Sequence, residues 1–146
     1  MKVDLNEKWV SELLSENRVL RIATVGADGQ PHVSSAWFIF KDHKFLISTA
    51  SDRLKAKDVA ANPKVALIVD TDTMPYKGVI VWGTARLLKE GVLEATEEIT
   101  ARYVPSEHVK EQVAELMRAD RVLIEVTPLK VMDIMSYREN NPPPRR

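Results

Sequence analysis

The apolar positions along the chain follow two periods, one typical of helices and one typical of strands. Near the start, an apolar residue recurs every three or four positions, at Leu5, Trp9, Val10, Leu13 and Leu14. This spacing predicts a helix over 4–15, with Asp4 as its N-cap. Similar patterns, bounded by turn and capping residues, predict three more helices over 51–61, 89–103 and 106–117. Ser51 or Asp52 is the expected cap of the second helix.

Strands are predicted where β-branched and aromatic residues lie between turn signals. Asp28-Gly29 marks one tight turn and Lys41-Asp42-His43 another. The six predicted strands span 18–25, 32–40, 44–49, 65–69, 76–88 and 122–126, the last resuming at 131–135. Gly78 and Gly83 interrupt the long fifth strand, which indicates a bulge or a close approach of another backbone.

Meandering strands at short spacing, with few helices, predict a mainly β fold with flanking helices, closed as an antiparallel barrel. The length of 146 residues suits one domain. We expect that domain to cover 1–138 and a flexible proline-rich tail to cover 139–146.

Composition narrows the function classes. The 21 basic residues balance the 21 acidic ones, which argues against nucleic-acid binding through an excess of cations. The chain has no cysteine, so disulfides and thiolate chemistry are excluded. Its three histidines show no metal-ligand spacing, and we expect no metal site. No signal peptide or membrane-spanning run is visible, so a cytoplasmic protein is expected.

A basic segment follows the third predicted strand. Hydroxyl groups stand at the strand end and at the helix start, on Ser48, Thr49 and Ser51. Three cations follow within five residues, on Arg53, Lys55 and Lys57. Hydroxyls, helix N–H groups and the helix dipole favour an anion there, and phosphate is the natural ligand.

The three cations differ in their expected direction. Arg53 and Lys57 are four residues apart and share a helical face, whereas Lys55 would reach back from the first turn. The alternative interpretation is a solvated basic helix face, neutralised by Asp52 and Asp58.

A second candidate segment lies in the predicted second strand. The small residues Ser34, Ser35 and Ala36 precede the aromatic pair Trp37-Phe38. Small side chains leave room for a flat ring, and strand backbone groups can bond its polar edge. The alternative is that the two aromatic side chains only pack in the core.

Several short motifs, taken in order, resemble one family. Asp28-Gly29-x-Pro31-His32, followed by Trp37-Phe38, is similar to the second-strand signature of the pyridoxamine phosphate oxidase-like FMN-binding split barrels. Arg53-x-Lys55-x-Lys57-Asp58-Val59, followed by Asn62-Pro63-x-Val65, resembles the next signature, whose basic helix binds the flavin phosphate. Further similar segments are Asp70 with Pro75-Tyr76, Val79-x-Val81-x-Gly83-x-Ala85 and Ile99-x-x-Arg102-Tyr103. Together the similar segments cover roughly 18–126 of this sequence.

The resemblance implies a six-stranded antiparallel split β-barrel that forms a homodimer, with two flavins in grooves built from both subunits. FMN is the implied cofactor. Its phosphate would be bound by Arg53, Lys55 and Lys57, with hydroxyl bonds from Ser48, Thr49 or Ser51. Its isoalloxazine would lie beside Ser34, Ser35, Ala36 and Trp37. Trp82 and Pro75-Tyr76 are implied to reach the partner subunit's flavin. Asp58 departs from the family pattern and would bring a negative charge near the phosphate.

The resemblance implies a redox cofactor and leaves the reaction open. The first hypothesis is an FMN-dependent oxidoreductase acting on an unidentified small molecule. The alternatives are a deazaflavin-coenzyme-dependent reductase, a non-catalytic FMN-binding or electron-carrier protein, and a barrel without cofactor. Oxidation of vitamin B6 is not expected. Only Tyr137-Arg138 and Arg145-Arg146 offer cations for a second phosphate near the end of the chain.

Overall fold

The computed structural model describes residues 3–135 and confirms a mainly β fold with flanking helices. Its strands are β1 (Leu20–Val25), β2 (Pro31–Ala36), β3 (Ile39–Lys41), β4 (Lys44–Ala50), β5 (Lys64–Asp70), β6 (Gly78–Leu88) and β7 (Arg121–Asp133). Its helices are α1 (Lys8–Ser15), α2 (Leu54–Ala61), α3 (Val92–Tyr103) and α4 (Val109–Leu116), with a short 3-10 turn over Ser106–His108. The strands form one curled sheet in the order β2-β1-β5-β6-β7-β4-β3, and every neighbouring pair is antiparallel.

The sheet has seven strands where six were predicted, because the predicted strand over 32–40 divides at Trp37 and Phe38. The Phe38 side chain is fully buried. Its backbone N–H donates to the Tyr103 hydroxyl at 3.3 Å, and its carbonyl accepts from Arg102. Side chains of α3 thus form hydrogen bonds with the Phe38 backbone groups that would otherwise bond a neighbouring strand. The chain bends there and passes from one edge of the sheet to the other.

The core lies on the inner face of the sheet, where alternate strand residues are buried, as the period of two requires. α1 packs on this face through Val10, Leu13 and Leu14. Fully buried side chains include Leu20, Ile22, Phe45, Ile47, Val79, Val81, Ile124 and Val126. Burying each such side chain contributes about 1.5–3 kcal/mol, so the inner face is the main source of stability.

Two predicted turns are confirmed. Gly29 adopts φ +84°, the left-handed conformation that glycine accepts without strain. In the Lys41–Lys44 hairpin, Asp42 and His43 have φ of 52° and 61°, the pair of positive values that a two-residue hairpin loop requires.

The last strand is continuous from Arg121 to Asp133, and a bulge replaces the predicted interruption. Trp82 pairs with Lys130 and Gly83 pairs with Pro128, so Leu129 is the extra residue. A Cβ on Gly83 would lie 2.6 Å from the Thr127 carbonyl oxygen, which explains why this position needs glycine.

Two cap predictions are wrong. α1 begins at Lys8, and the Asp4 carboxylate instead accepts from the Asn6 N–H at 2.8 Å in the preceding turn. α2 begins at Leu54, with Arg53 as N-cap and no side-chain cap bond.

Within residues 3–135, no helix combines the length and the hydropathy that a membrane crossing needs. The predicted tail over 139–146, and the pairs Tyr137-Arg138 and Arg145-Arg146, lie outside the described residues.

Candidate functional site

A cleft of about 610 Å³ lies where the two ends of the curled sheet approach each other. β2 forms one edge of the sheet, and β4 lies next to the other edge strand. Both strands line the cleft, together with the start of α2, one side of α3 and the start of β7. The cleft therefore occupies the split of the barrel, and its size suits a cofactor or small molecule.

Eight of the eleven residues that the sequence assigned to a cofactor line this cleft. They are Ser34, Ser35, Ala36, Trp37, Ser48, Thr49, Arg53 and Lys55. The other three, Ser51, Lys57 and Trp82, do not line it. The two candidate segments lie on different elements, the first on β2 and the residue after it and the second on β4 and the start of α2, yet the curled sheet brings them to one place.

The β2 wall of the cleft consists of small side chains that end at an aromatic ring. Trp37 stacks on Tyr103, with ring centroids 5.0 Å apart and an interplanar angle of 6°. The Tyr103 hydroxyl donates to the Arg18 carbonyl at 2.7 Å, which fixes the ring beneath Trp37. Burial raises the pKa of Tyr103 and outweighs the opposing effects of the Phe38 backbone bond and the Arg102 charge. The wall is thus a rigid surface against which a flat ring can pack.

The start of α2 places Arg53 and Lys55 toward the cleft. Arg53 precedes the helix in extended conformation, with φ −70° and ψ 147°. The expected shared face of Arg53 and Lys57 therefore does not form, because only Lys57 is helical. Lys55 is in the first turn and reaches back, as the sequence allowed, whereas Lys57 lies on the exposed side.

Two of the three hydroxyls of the basic segment, those of Ser48 and Ser51, are already bonded within the protein. The Ser51 hydroxyl donates to Asp120 at 2.7 Å, and its N–H donates to the Asp120 carbonyl. The Ser48 hydroxyl lies 2.7 Å from the Thr96 hydroxyl. These two serines hold neighbouring elements together around the cleft.

Arg121 is a cleft residue that the sequence analysis missed. It pairs with Ala50 in the ladder between β4 and β7, so it lies beside the basic segment. Its Nε donates to the Ser48 hydroxyl at 3.0 Å and its Nη2 donates to the Ser48 carbonyl at 3.0 Å. Predicting its place in the cleft would have required knowing that β4 pairs with β7. A cation at the start of a predicted strand does not indicate which strand is its neighbour.

The cations in the cleft act on one another. Desolvation by burial lowers the pKa of Lys55, and the charges of Arg53 and Arg121 lower it further. Desolvation and the Arg53 charge likewise lower the pKa of Arg121. Among residues 3–135, no carboxylate oxygen lies within 4.0 Å of the charged nitrogens of these three residues. The cleft therefore carries uncompensated positive charge, which an anion would neutralise.

Asp58 lies on the other side of α2, away from these cations. Its buried carboxylate accepts from the Thr24 hydroxyl at 2.7 Å and from His32 Nδ1 at 2.6 Å. The proton is placed on Nδ1 because an ionised carboxylate only accepts. The Asp58 carboxylate therefore faces the β1–β2 hairpin and not the cations of the cleft, contrary to the expectation. Its two hydrogen bonds anchor α2 to the hairpin.

Trp82 lies on the outer face of the sheet, where the Lys130 ammonium is 5.3 Å from its ring centroid. Pro75-Tyr76 lies in the exposed loop between β5 and β6. Neither lines the cleft of its own chain.

The split sheet encloses a cationic cleft, and the comparisons identify the family. The sequence matches the family described as pyridoxamine 5'-phosphate oxidase over residues 7–134. The chain belongs to this family. Flavin-binding proteins are among its structural relatives.

Individual proteins are similar to this chain in sequence or in fold. An uncharacterized protein of Methanocaldococcus jannaschii is 34% identical over 109 residues, which cover 70% of each chain. The structure of an F420 reductase has a TM-score of 0.67 at 25% identity and covers 84% of this chain and 94% of that one. The heme storage protein HutZ from Vibrio cholerae shares the fold, with a TM-score of 0.70 at 20% identity, and the match covers 86% and 92% of the two chains.

Proposed function

We propose that this chain binds FMN in the cleft and is an oxidoreductase that acts on an unidentified small molecule. The observation that carries the proposal is that three cations, Arg53, Lys55 and Arg121, line the same cleft as the small residues of β2 and Trp37. A flavin mononucleotide has a phosphate at one end and a flat ring at the other. It therefore offers an anionic group to the cations and a flat ring to the β2 wall.

The chemistry would come from the cofactor. The titratable side chains that line the cleft are the three cations, and none is a carboxylate, histidine or tyrosine. A cleft with these groups can bind and orient, but it offers no carboxylate or imidazole for general acid–base catalysis. A flavin carries the hydride chemistry itself. The protein would hold its phosphate and position its ring.

Two alternatives use the same cleft. A deazaflavin-coenzyme-dependent reductase is supported by the similarity to the F420 reductase. A non-catalytic FMN-binding or electron-carrier protein is consistent with the absence of carboxylates and imidazoles among the residues that line the cleft. Both alternatives keep an anionic, ring-containing ligand.

Separate titrations with FMN and with the deazaflavin coenzyme test the proposal. Quenching of the ligand's fluorescence reports binding in each titration. FMN is expected to bind the more tightly. Selective binding of the deazaflavin coenzyme would replace the proposed cofactor, and binding of neither would overturn the proposal. Reoxidation of the reduced, FMN-loaded protein by candidate acceptors separates an enzyme from a carrier.

A matched pair of charge reversals tests the location of the phosphate. Lys55→Glu places a negative charge in the cleft, whereas Lys57→Glu makes the same change on the exposed side of α2. Lys55→Glu is expected to weaken FMN binding roughly 100-fold, from the loss of a charge-assisted bond and added repulsion. Lys57→Glu is expected to change it less than about threefold. Equal losses would contradict the assignment.

The proposed cofactor site also involves a homodimer. Partly exposed apolar side chains form a continuous patch on the outer face of the sheet, comprising Ala66, Ile68, Ile80, Trp82 and Met132. We call this group the outer apolar patch. A second copy of the chain would cover the patch around a two-fold axis and would bring Trp82 or Pro75-Tyr76 toward its partner's flavin.

A further inference from the structure

We propose that Arg121 is a direct anion ligand and that, together with Arg53 and Lys55, it makes the cleft selective for a dianionic phosphate monoester over singly charged groups. The inference deepens the proposed function, because it names the part of the ligand that the cleft selects. Arg121 lies outside the basic segment around α2 and reaches the cleft from β7.

The guanidinium of Arg121 is held in place before any ligand arrives. Its Nε and Nη2 donate to the hydroxyl and carbonyl of Ser48, both at 3.0 Å, and its Nη1 lies 3.5 Å from the Leu116 carbonyl. These contacts engage three of the five N–H donors of the guanidinium. Two donors are therefore available to a ligand from a group whose orientation is already fixed.

A relay of hydroxyls supports this orientation. The Thr96 hydroxyl donates to the Val92 carbonyl at 2.7 Å, so it accepts from the Ser48 hydroxyl 2.7 Å away. The Ser48 oxygen then accepts from Arg121. The hydroxyl that the sequence assigned to the phosphate is thus used to position a cation, and α3 is tied to the site through Thr96.

Charge counting indicates the class of anion. Three positive groups share a partly buried cleft, and each lies more than 4.0 Å from every carboxylate in residues 3–135. Their mutual repulsion lowers the pKa of Lys55 after desolvation has already lowered it. A dianion relieves more of this repulsion than a monoanion, because it leaves a smaller residual charge. A terminal phosphate monoester carries close to two negative charges at neutral pH, whereas a phosphodiester or a carboxylate carries one.

The test compares Arg121→Gln with Arg118→Gln in the full chain. Arg118 is an exposed arginine just before β7, paired with Glu115 at 3.3 Å, so its loss controls for removing a cation. The probes are inorganic phosphate, sulfate and acetate at constant ionic strength, and the readouts are calorimetric affinity and the shift of the thermal midpoint. Arg121→Gln is expected to weaken phosphate and sulfate binding about 10-fold or more, and Arg118→Gln less than about twofold.

A pH profile tests whether the charge of Arg121 acts on the anion site through Lys55. Sulfate stays doubly charged across the pH range of the titration. Any change in its affinity with pH therefore reports protonation of groups on the protein. In the unmodified protein, the affinity is expected to fall as Lys55 loses its proton, at a pH below the usual lysine range, because burial and the neighbouring cations lower the pKa of Lys55. Arg53 and Arg121 are the charges that lower the pKa of Lys55. Removing Arg121 should therefore move the fall to higher pH, and Arg121→Lys, which keeps the charge, should not.

The outcomes are distinguishable from failure of the proposed function. Phosphate affinity that is unchanged in Arg121→Gln, or acetate binding as strong as sulfate binding, would overturn the inference. Arg121→Lys provides a folded comparison if Arg121→Gln is unstable, and it is expected to retain selectivity for dianions with reduced affinity because it loses the planar fork. Loss of flavin binding with intact phosphate selectivity would contradict the proposed function alone.

Discussion

Arg121 and Glu125 lie four residues apart on β7, and their surroundings have opposite consequences for the folded state. Arg121 is among cations, and its pKa is lowered. Burial alone would raise the pKa of Glu125, but the Arg86 hydrogen bond at 2.8 Å and the charges of Lys44 and Arg86 outweigh it and lower the pKa. On β7, a bound anion would therefore stabilise the charge of Arg121, whereas the charge of Glu125 is already neutralised by Lys44 and Arg86.

The Glu125 pair predicts a specific dependence of stability on pH. Because its folded-state pKa is lowered, its contribution is complete above the unfolded pKa, about 4.3, and is lost as the pH falls through the folded value. Glu125→Gln should lower the free energy of unfolding at pH 7 by roughly 1 kcal/mol, since Arg86 is exposed and the pair is partly screened. Urea unfolding between pH 3 and pH 7 measures this.

The control for that change is Glu115→Gln, which removes an exposed carboxylate paired with Arg118. Its effect is expected to stay within about 0.5 kcal/mol. The difference between the two variants should shrink toward acidic pH. A Glu125→Gln deficit that stays constant down to pH 3 would contradict the pKa assignment.

At the scale of the elements, α2 is the part that the site depends on most. Its N-terminal end presents Arg53 and Lys55 to the cleft, and its buried Asp58 ties it to β1 and β2 through Thr24 and His32. The short helix of eight residues has no side-chain cap. Tertiary bonds, more than intrinsic helix stability, therefore fix the cations.

Asp58→Ala should destabilise the fold by roughly 2–4 kcal/mol, because it leaves two polar groups without their buried acceptor. Asp52→Ala removes an exposed carboxylate from the same segment and should cost less than about 0.5 kcal/mol. Denaturant unfolding compares them, and equal costs would show that Asp58 does not anchor the helix. The folded Asp58→Ala protein should also bind FMN more weakly.

The elements that the sequence predicted correctly are those with local causes. The turns at Asp28-Gly29 and Asp42-His43 depend on residues within the turn, and strand alternation follows the local pattern. The division of the predicted strand at Trp37 and Phe38 depends on Arg102, which bonds the Phe38 carbonyl from 64 residues away. Likewise, Arg121 enters the site by bonding Ser48, 73 residues away. Contacts at such separations leave no periodic signal in one sequence.

The resemblance to a known family supplied most of the candidate site, and the geometry changed its composition. The curled sheet brings the two segments containing Trp37 and Lys55 to one cleft, as the resemblance implied. The helical-face argument that grouped Arg53 with Lys57 was wrong, because Arg53 precedes the helix.

At the scale of the whole molecule, the cleft and the outer apolar patch are on different parts of one sheet. The cleft lies at the split, whereas the patch crosses β5, β6 and β7 on the face away from the core. A second copy on the patch would give each chain a role in its partner's site. The dimer and cofactor retention are then linked by mass action.

Ile80→Glu tests that link by placing a charge in the middle of the outer apolar patch. It is expected to raise the dimer dissociation constant at least roughly 10-fold and to release flavin on dilution. Leu93→Glu, a change at an exposed leucine of α3, is the control. Sedimentation velocity with flavin absorbance measures both properties. Tight flavin retention by a monomeric Ile80→Glu protein would contradict the shared site.

The central claim is that the cationic cleft binds a flavin through its terminal phosphate. Parallel titrations with FMN and riboflavin test it most directly, because the two ligands differ only in that phosphate. FMN is expected to bind about 100-fold or more tightly than riboflavin, from two or more charge-assisted bonds, and to lose most of this advantage in Lys55→Glu. Equal affinities for FMN and riboflavin in the unmodified protein would contradict the claim.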